Sequence, residues 1–288
     1  MIPMSSEGSA PTKSSSLARG GSPHFLSVAR FELLRQLRRR RLLILLIIAA
    51  ILLVLLIVVI QVFGSAASSA YAYASSFASS VTILAALAAT FFGADTLVGE
   101  FEHRTGFLLF PQPVTRTAIF LGKLTAAVAL TTVTLAVYYG VVAAATEIVK
   151  GSVPIELGYS FLLAALYSTA ALGVAFFLSS ALRSTTMASV LTFATLFFIL
   201  TIVSSILSIA KVRPDGNLAF AGGTISNILA GPYPQAYPGD TDVPIGPGGD
   251  RFRSYSPAVP ISILVMVVWA IAGLGLAWFL YRRREMKG

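Results

Sequence analysis

The chain of 288 residues contains no cysteine. Disulfides, thiolate nucleophiles and thiolate metal sites are excluded with it. Two histidines, His24 and His103, and five scattered methionines leave a transition-metal path without ligands. Charge is scarce too: 11% of residues are charged and 56% hydrophobic, where an average soluble domain carries roughly 25% charged residues. Between Leu42 and Ala94 there is no charge at all. As one helix that stretch would run for about 80 Å, far beyond a ~30 Å hydrocarbon core, so it must fold as a hairpin with its turn in Gly64–Ser76. No charge lies near the middle of any apolar block, and an ion pathway through lipid needs such groups. An ion-coupled carrier or channel is therefore disfavoured. No nucleophile with its base, carboxylate pair or phosphate-binding glycine loop is visible, so the chain has no catalytic residues, metal or cofactor of its own and cannot hydrolyse ATP by itself.

What is present is apolar length. Six blocks, Leu42–Phe63, Phe77–Val98, Leu124–Ala145, Tyr159–Leu182, Met187–Ala210 and Ala258–Tyr281, each suffice to cross a bilayer as a helix. The expected fold class is an all-α integral membrane protein of six transmembrane helices, the first retained rather than cleaved as a signal. Of the 21 basic residues, only Lys150, Lys211, Arg213, Arg251 and Arg253 fall outside if both termini are cytoplasmic. That asymmetry is what the positive-inside rule expects. The formal charge of +9 thus orients the chain in its membrane, and no nucleic-acid partner is implied. Ser179, Ser180, Thr192, Thr195, Ser204 and Ser205 read as helix-packing groups rather than substrate contacts. Asp95, near the cytoplasmic end of the second block, reads as structural or coupling, reachable by water or a neighbouring basic group.

Residues 1–23 are rich in Ser, Gly and Pro and read as a disordered cytoplasmic tail. Residues 24–41 show helical periodicity: Leu26, Ala29, Leu33 and Leu37 share one side, and Glu32, Arg35, Arg38 and Arg39 fall mainly on the other. This predicts an amphipathic helix in the headgroup layer, with Arg35, Arg38, Arg39, Arg40 and Arg41 as membrane-surface residues facing anionic phosphates. The plainer reading is that Arg38–Arg41 merely flank the first span. Residues 42–210 hold spans one to five. Residues 211–257, with seven prolines and eight glycines, cannot cross lipid and read as an extracytoplasmic loop. One short helical turn around Ile225, Ile228 and Leu229 is expected there, and the loop is either a plain flexible link or a gate or docking surface for an extracytoplasmic partner. Residues 258–281 form the last span and 282–288 a basic cytoplasmic tail.

The most informative stretch is Val98–Lys123, VGEFEHRTGFLLFPQPVTRTAIFLGK. Glu100 and Arg104 are spaced for a helical pair, Gly106 breaks the helix, and Pro111 and Pro113 hold it broken until Thr115 and Arg116 restart it. A simple link needs only polar residues, so Phe101, Phe107, Leu108, Leu109 and Phe110 require burial, on the bilayer or in another protein.

Here the chain resembles the membrane subunits of type II ATP-binding cassette exporters. The resemblance lies in Glu100, Glu102, Arg104, Thr105, Gly106, Leu108, Leu109, Pro113, Thr115, Arg116, Gly122 and Lys123, and in the plan of a basic amphipathic helix, six spans and a long external segment before the last. It departs at Phe110 and Gln112, and in the length of the 211–257 loop. The resemblance implies that residues 99–117 form a coupling segment seated in a separate ATPase subunit. Glu100, Glu102 and Arg104 would make polar contacts there, Phe101, Phe107 and Leu108 would pack, and Thr105, Gly106, Pro113 and Arg116 would complete the interface. It also implies two ATPase subunits holding ATP and Mg, a second copy or homologue of this permease, and the plasma membrane of a prokaryote as the location. A non-transporting membrane scaffold or assembly factor is the alternative. The substrate is not legible.

Overall fold

The computed structural model describes residues 24–63, 69–99, 115–245 and 250–283. Among them six helices are long and apolar enough to cross a membrane. Helix α1 (His24–Arg38) precedes the first, α2 (Arg41–Phe63). The second is split into α3 (Ala70–Ala78) and α4 (Val81–Gly93), and the third and fourth are α5 (Arg116–Lys150) and α6 (Glu156–Ala181). The fifth runs through α7 (Thr185–Ala194), a π-helical turn (Thr195–Ile199) and α8 (Leu200–Ile209). Two short helices, α9 (Leu218–Gly222) and α10 (Thr224–Asn227), and an antiparallel pair, β1 (Thr241–Ile245) with β2 (Asp250–Ser254), follow before the sixth, α11 (Val259–Arg283).

Helix starts follow capping chemistry. Ser69 Oγ accepts from Ala72 N and Thr115 Oγ1 from Ala118 N, each at 3.2 Å, satisfying one of the amides that a first turn leaves unpaired. The 35-residue α5 stops at Gly151, whose φ of 69° closes the helix as a left-handed residue does best without a side chain.

Burial is uneven. The most apolar windows of the second and fourth spans are each 61% buried, against 17% in the first, fifth and sixth, so the second and fourth form the centre and the others offer wide apolar faces to lipid. Lipid does not drive helices together, so close approach rests on small residues. A Cβ on Gly273 of α11 would lie 2.6 Å from the Gly173 carbonyl carbon of α6, and one on Gly93 of α4 would lie 2.8 Å from Ala175 Cβ. Both crossings bring backbone against backbone or nearly so.

Three readings are corrected by the structure. Ala70–Ser76, expected within a turn, is helical, so the second span begins at Ala70 and bends at Ser79–Ser80. The bend leaves no acceptor idle: Phe77 O takes bonds from Ser80 Oγ (2.7 Å) and Tyr138 Oη (3.1 Å), and the two hydroxyls lie 2.8 Å apart. On α1, Glu32 belongs to the packed face with Ala29 and Gln36, whereas Leu26, Leu34 and Leu37 are exposed. In the 211–257 segment, two short helices and a hairpin replace the single expected turn. Ile225 and Leu229 there are fully buried, and Ser160 Oγ of α6 donates to Ile225 O at 2.7 Å.

Candidate functional site

Two features stand out, one at each end of the bundle. At the end rich in arginine, Arg41 opens α2 and grips Asp95 just past α4. Its Nη1 and Nη2 donate to Asp95 Oδ1 and Oδ2 at 2.8 and 2.6 Å, and Nη1 also reaches Phe91 O at 3.0 Å. A planar guanidinium matches a carboxylate in this two-pronged way, giving direction as well as attraction. The next residues are held by α6: Ser179 Oγ accepts from Leu97 N and Val98 N at 3.0 and 3.1 Å. The chain leaving the second span is therefore tied to two other helices.

The chain starting the third span is tied as well. Lys123 Nζ lies 3.5 Å from Glu32 Oε2 of α1, both side chains under 5% exposed, and Glu32 Oε1 accepts from Arg35 Nη2 at 2.5 Å. Two ions removed from water are stable only when their charges meet, so α1 is fixed to α5 by this pair. Arg116 Nη1 donates to Arg282 O of α11 at 3.1 Å.

The residues between these anchors, 100–114, lie outside the described residues. Glu100, Phe101, Glu102, Arg104, Thr105, Gly106, Phe107, Leu108 and Pro113 are among them. Arg116 is exposed at the start of α5. Of the arginines predicted at the membrane surface, Arg38, Arg39 and Arg40 are exposed and Arg35 half-buried on Glu32. Arg41 is turned inward to Asp95 instead. Arg40 has a φ of 56°, and this left-handed residue turns α1 away from the axis of α2.

At the opposite end a cavity of about 720 Å³ opens between the second and fifth spans. Thr82, Ile83 and Tyr167 wall it on one side and Leu196 and Ser204 on the other. The short helices α9 and α10 close it above: a Cβ on Gly222 would lie 2.9 Å from both Thr82 Cγ2 and Tyr167 Cε2. Asn217 fixes this roof to the fifth span, accepting from Ala219 N and donating to Leu200 O, each at 2.8 Å. The π-helical turn sits beside the cavity, with Leu200 N bonded to Thr195 O and Leu196 and Phe197 in the lining. Such turns inside α-helices recur at functional sites.

Outside the bundle, Arg213 organises the connecting segment. Its guanidinium donates to Asp215 Oδ1 (2.9 Å), Asp240 Oδ2 (3.2 Å) and Ser256 O (2.8 Å). The hydrogen bond to Asp215, more than the charges around it, raises the Arg213 pKa further. No group of His, Asp and Glu among the described residues is arranged to hold a metal ion.

Sequence reasoning missed the partners of Asp95 and Glu32, and the cavity. The signal for the first two was charge at the edge of apolar stretches: Arg41 and Asp95 bound the charge-free run, and Glu32 and Lys123 are opposite charges beside the first and third spans. The signal for the cavity was the hydroxyl content of the fifth span, read as packing.

No curated protein matches the chain. The family model for the ABC-2 family transporter proteins matches residues 26–286, which takes in every described helix from α1 to α11 except the first two residues of α1. With six membrane-length helices over that same range, the chain belongs to the ABC-2 family of transporter proteins and is a membrane permease component of an ATP-binding cassette transporter, not its ATPase.

Proposed function

We propose that this permease is half of the membrane part of an exporter, driven by separate ATPase subunits that seat on residues 99–117. Its arginine-rich end faces the cytoplasm, both termini with it, in a prokaryotic plasma membrane. Two copies, or this chain and a homologue, enclose the path, and two ATPase subunits supply ATP and Mg. Glu100, Glu102 and Arg104 make the polar contacts, and Phe101, Phe107 and Leu108 pack into the ATPase. Arg38, Arg39 and Arg40 lie against anionic headgroups.

The observation that carries the reading is the double anchoring of residues 100–114. Arg41–Asp95 and Ser179 hold the chain before them, and Glu32–Lys123 and the Arg116–Arg282 contact hold the chain after them. A segment that only links two helices needs no such mounting; one that takes a push from a partner and passes it to the helices does. The cavity between the second and fifth spans is then the part of the path that opens away from the ATPase. The external segment with Arg213 is available to an extracytoplasmic partner.

The test is purification from native membranes of the unaltered chain and of a variant with Glu100→Ala and Arg104→Ala. A stoichiometric ATPase that the double variant loses, together with substrate-stimulated hydrolysis, is expected. Recovery of the unaltered chain with no ATPase partner would point to a membrane scaffold.

A further inference from the structure

We infer that the cavity between the second and fifth spans binds an uncharged amphiphile that presents several hydrogen-bond donors, hydroxyl or amide N–H groups, to a wall of hydroxyl oxygens. This rests on the permease reading and adds the chemical class of what the site takes.

The protons of the wall are mostly committed elsewhere. Ser79 Oγ donates to Ser76 O at 2.8 Å, Ser205 Oγ to Thr201 O at 3.0 Å and Ser208 Oγ to Ser204 O at 2.9 Å. Each of these cavity-lining hydroxyls thereby spends its only proton on its own helix and keeps acceptor lone pairs for the cavity. Ser226, in the roof, does the same with Gly223 O at 3.2 Å. Acceptors therefore outnumber free donors.

Tyr167 is the second, independent observation. Its side chain comes from the fourth span, is 2% exposed and lines the cavity. Among the described residues its hydroxyl makes no hydrogen bond, and it is not one of the fully enclosed polar atoms, so it opens on the cavity. Buried Tyr138 and Tyr139 are paired, with Ser80 and Ser160 at 2.8 Å. Tyr167 thus presents a phenol hydroxyl to the cavity that is open to a partner from outside the chain.

The lining also limits charge. Among the described residues no Asp, Glu, Lys or Arg is in it, and an ion against so apolar a wall would find no counter-charge there to offset its lost hydration. Ile83, Leu196 and Phe197 supply the surface for an apolar portion. Hydroxyl acceptors beside apolar walls select a neutral headgroup with donors over a cation or an anion.

The absence of cysteine makes the test direct. Ile209→Cys places one thiol on the cavity lining at an exposed position, and Ile148→Cys places a control on the third span, outside the lining. Each is followed by maleimide alkylation of the complex in lipid nanodiscs, with submicellar octyl glucoside, octyltrimethylammonium or octyl sulfate as probe. Octyl glucoside is expected to slow alkylation of Ile209→Cys about tenfold relative to the two charged probes, the worth of one or two buried neutral hydrogen bonds. Ile148→Cys is expected to show no headgroup preference. Adding Tyr167→Phe and Ser204→Ala to Ile209→Cys should abolish the preference while the ATPase still copurifies.

Equal protection by all three probes, or protection surviving the double change, overturns the inference, and so does a thiol in Ile209→Cys that is closed to maleimide without any probe. Absence of headgroup preference in Ile209→Cys with the ATPase still bound refutes the substrate class and leaves the permease reading standing. A clear preference in a chain that has no ATPase partner refutes the transport cycle and leaves the binding site.

Discussion

Arg41 and Asp95 meet through two hydrogen bonds of 2.8 and 2.6 Å across 54 positions of sequence, binding the start of the first span to the chain that leaves the second. Both side chains are part-buried, at 25% and 19% exposure. The pair therefore lies between a solvated surface bridge and a dry one. Asp95→Asn is expected to lower stability by about 1–3 kcal/mol, since the arginine keeps only its carbonyl contact and a weaker amide partner. Thermal unfolding in detergent measures it. The exchange Arg41→Asp with Asp95→Arg should recover part of the loss; no recovery would mean that the Phe91 carbonyl, not the ion pair, fixes Arg41.

The Glu32 site should respond unequally to loss of its two partners. Lys123→Met leaves Glu32 still bonded to Arg35, whereas Glu32→Gln removes the carboxylate that both cations share. Glu32→Gln is therefore expected to cost more than Lys123→Met, about 1–3 kcal/mol for the charge-assisted bonds it weakens. Glu32→Leu combined with Lys123→Met should restore most of it. Equal effects of the two single changes in a thermal-shift series would show that Arg35 contributes nothing.

At the crossing of α6 and α11, Gly273→Leu must push the helices apart, because its Cβ alone would lie 2.6 Å from backbone. A loss of about 3 kcal/mol or failure to fold is expected. Gly275→Leu, two residues away, meets open space and should be near neutral. Comparable losses in both would show that glycine serves helix flexibility here rather than contact.

Tyr237, in the segment before the hairpin, is pushed up to about 12, chiefly by burial. Its hydroxyl donates to Pro257 O at 2.5 Å, a bond that the phenolate cannot make. Because the folded value lies above the unfolded value of ~10, the stabilisation is complete below pH 10 and is lost as pH rises from about 10 to 12. Alkaline titration of tyrosine absorbance, compared with Tyr237→Phe, should show protease sensitivity of the 230–257 region rising over that window only when the hydroxyl is present.

Apolar length made the six spans legible, because a helix in lipid needs about twenty apolar residues and little else does. Ala70–Ser76 was not legible as helix: Ser, Ala and Tyr carry no decisive hydropathy, and its serines pass as turn formers until Ser75 and Ser76 are seen bonding back to Ala72 O. The face of α1 was misassigned at Glu32 because its partner, Lys123, lies 91 positions away, beyond any local periodicity. Ser204 and Ser205 were legible as hydroxyls in a span, but only the fold places them on a cavity across from Tyr167. The residues of Val98–Lys123 carried the family resemblance, and the family match covers that stretch.

The 35 residues of α5 have a further consequence. At 1.5 Å per residue the helix runs roughly 50 Å, well beyond a ~30 Å hydrocarbon core. Near one end Lys123 is held by α1, and towards the other Tyr139 is bonded to Ser160, which in turn bonds the buried turn at Ile225. An unbroken helix is stiff along its axis. Held at both ends, it joins the arginine-rich end of the bundle to the roof of the cavity through one continuous element.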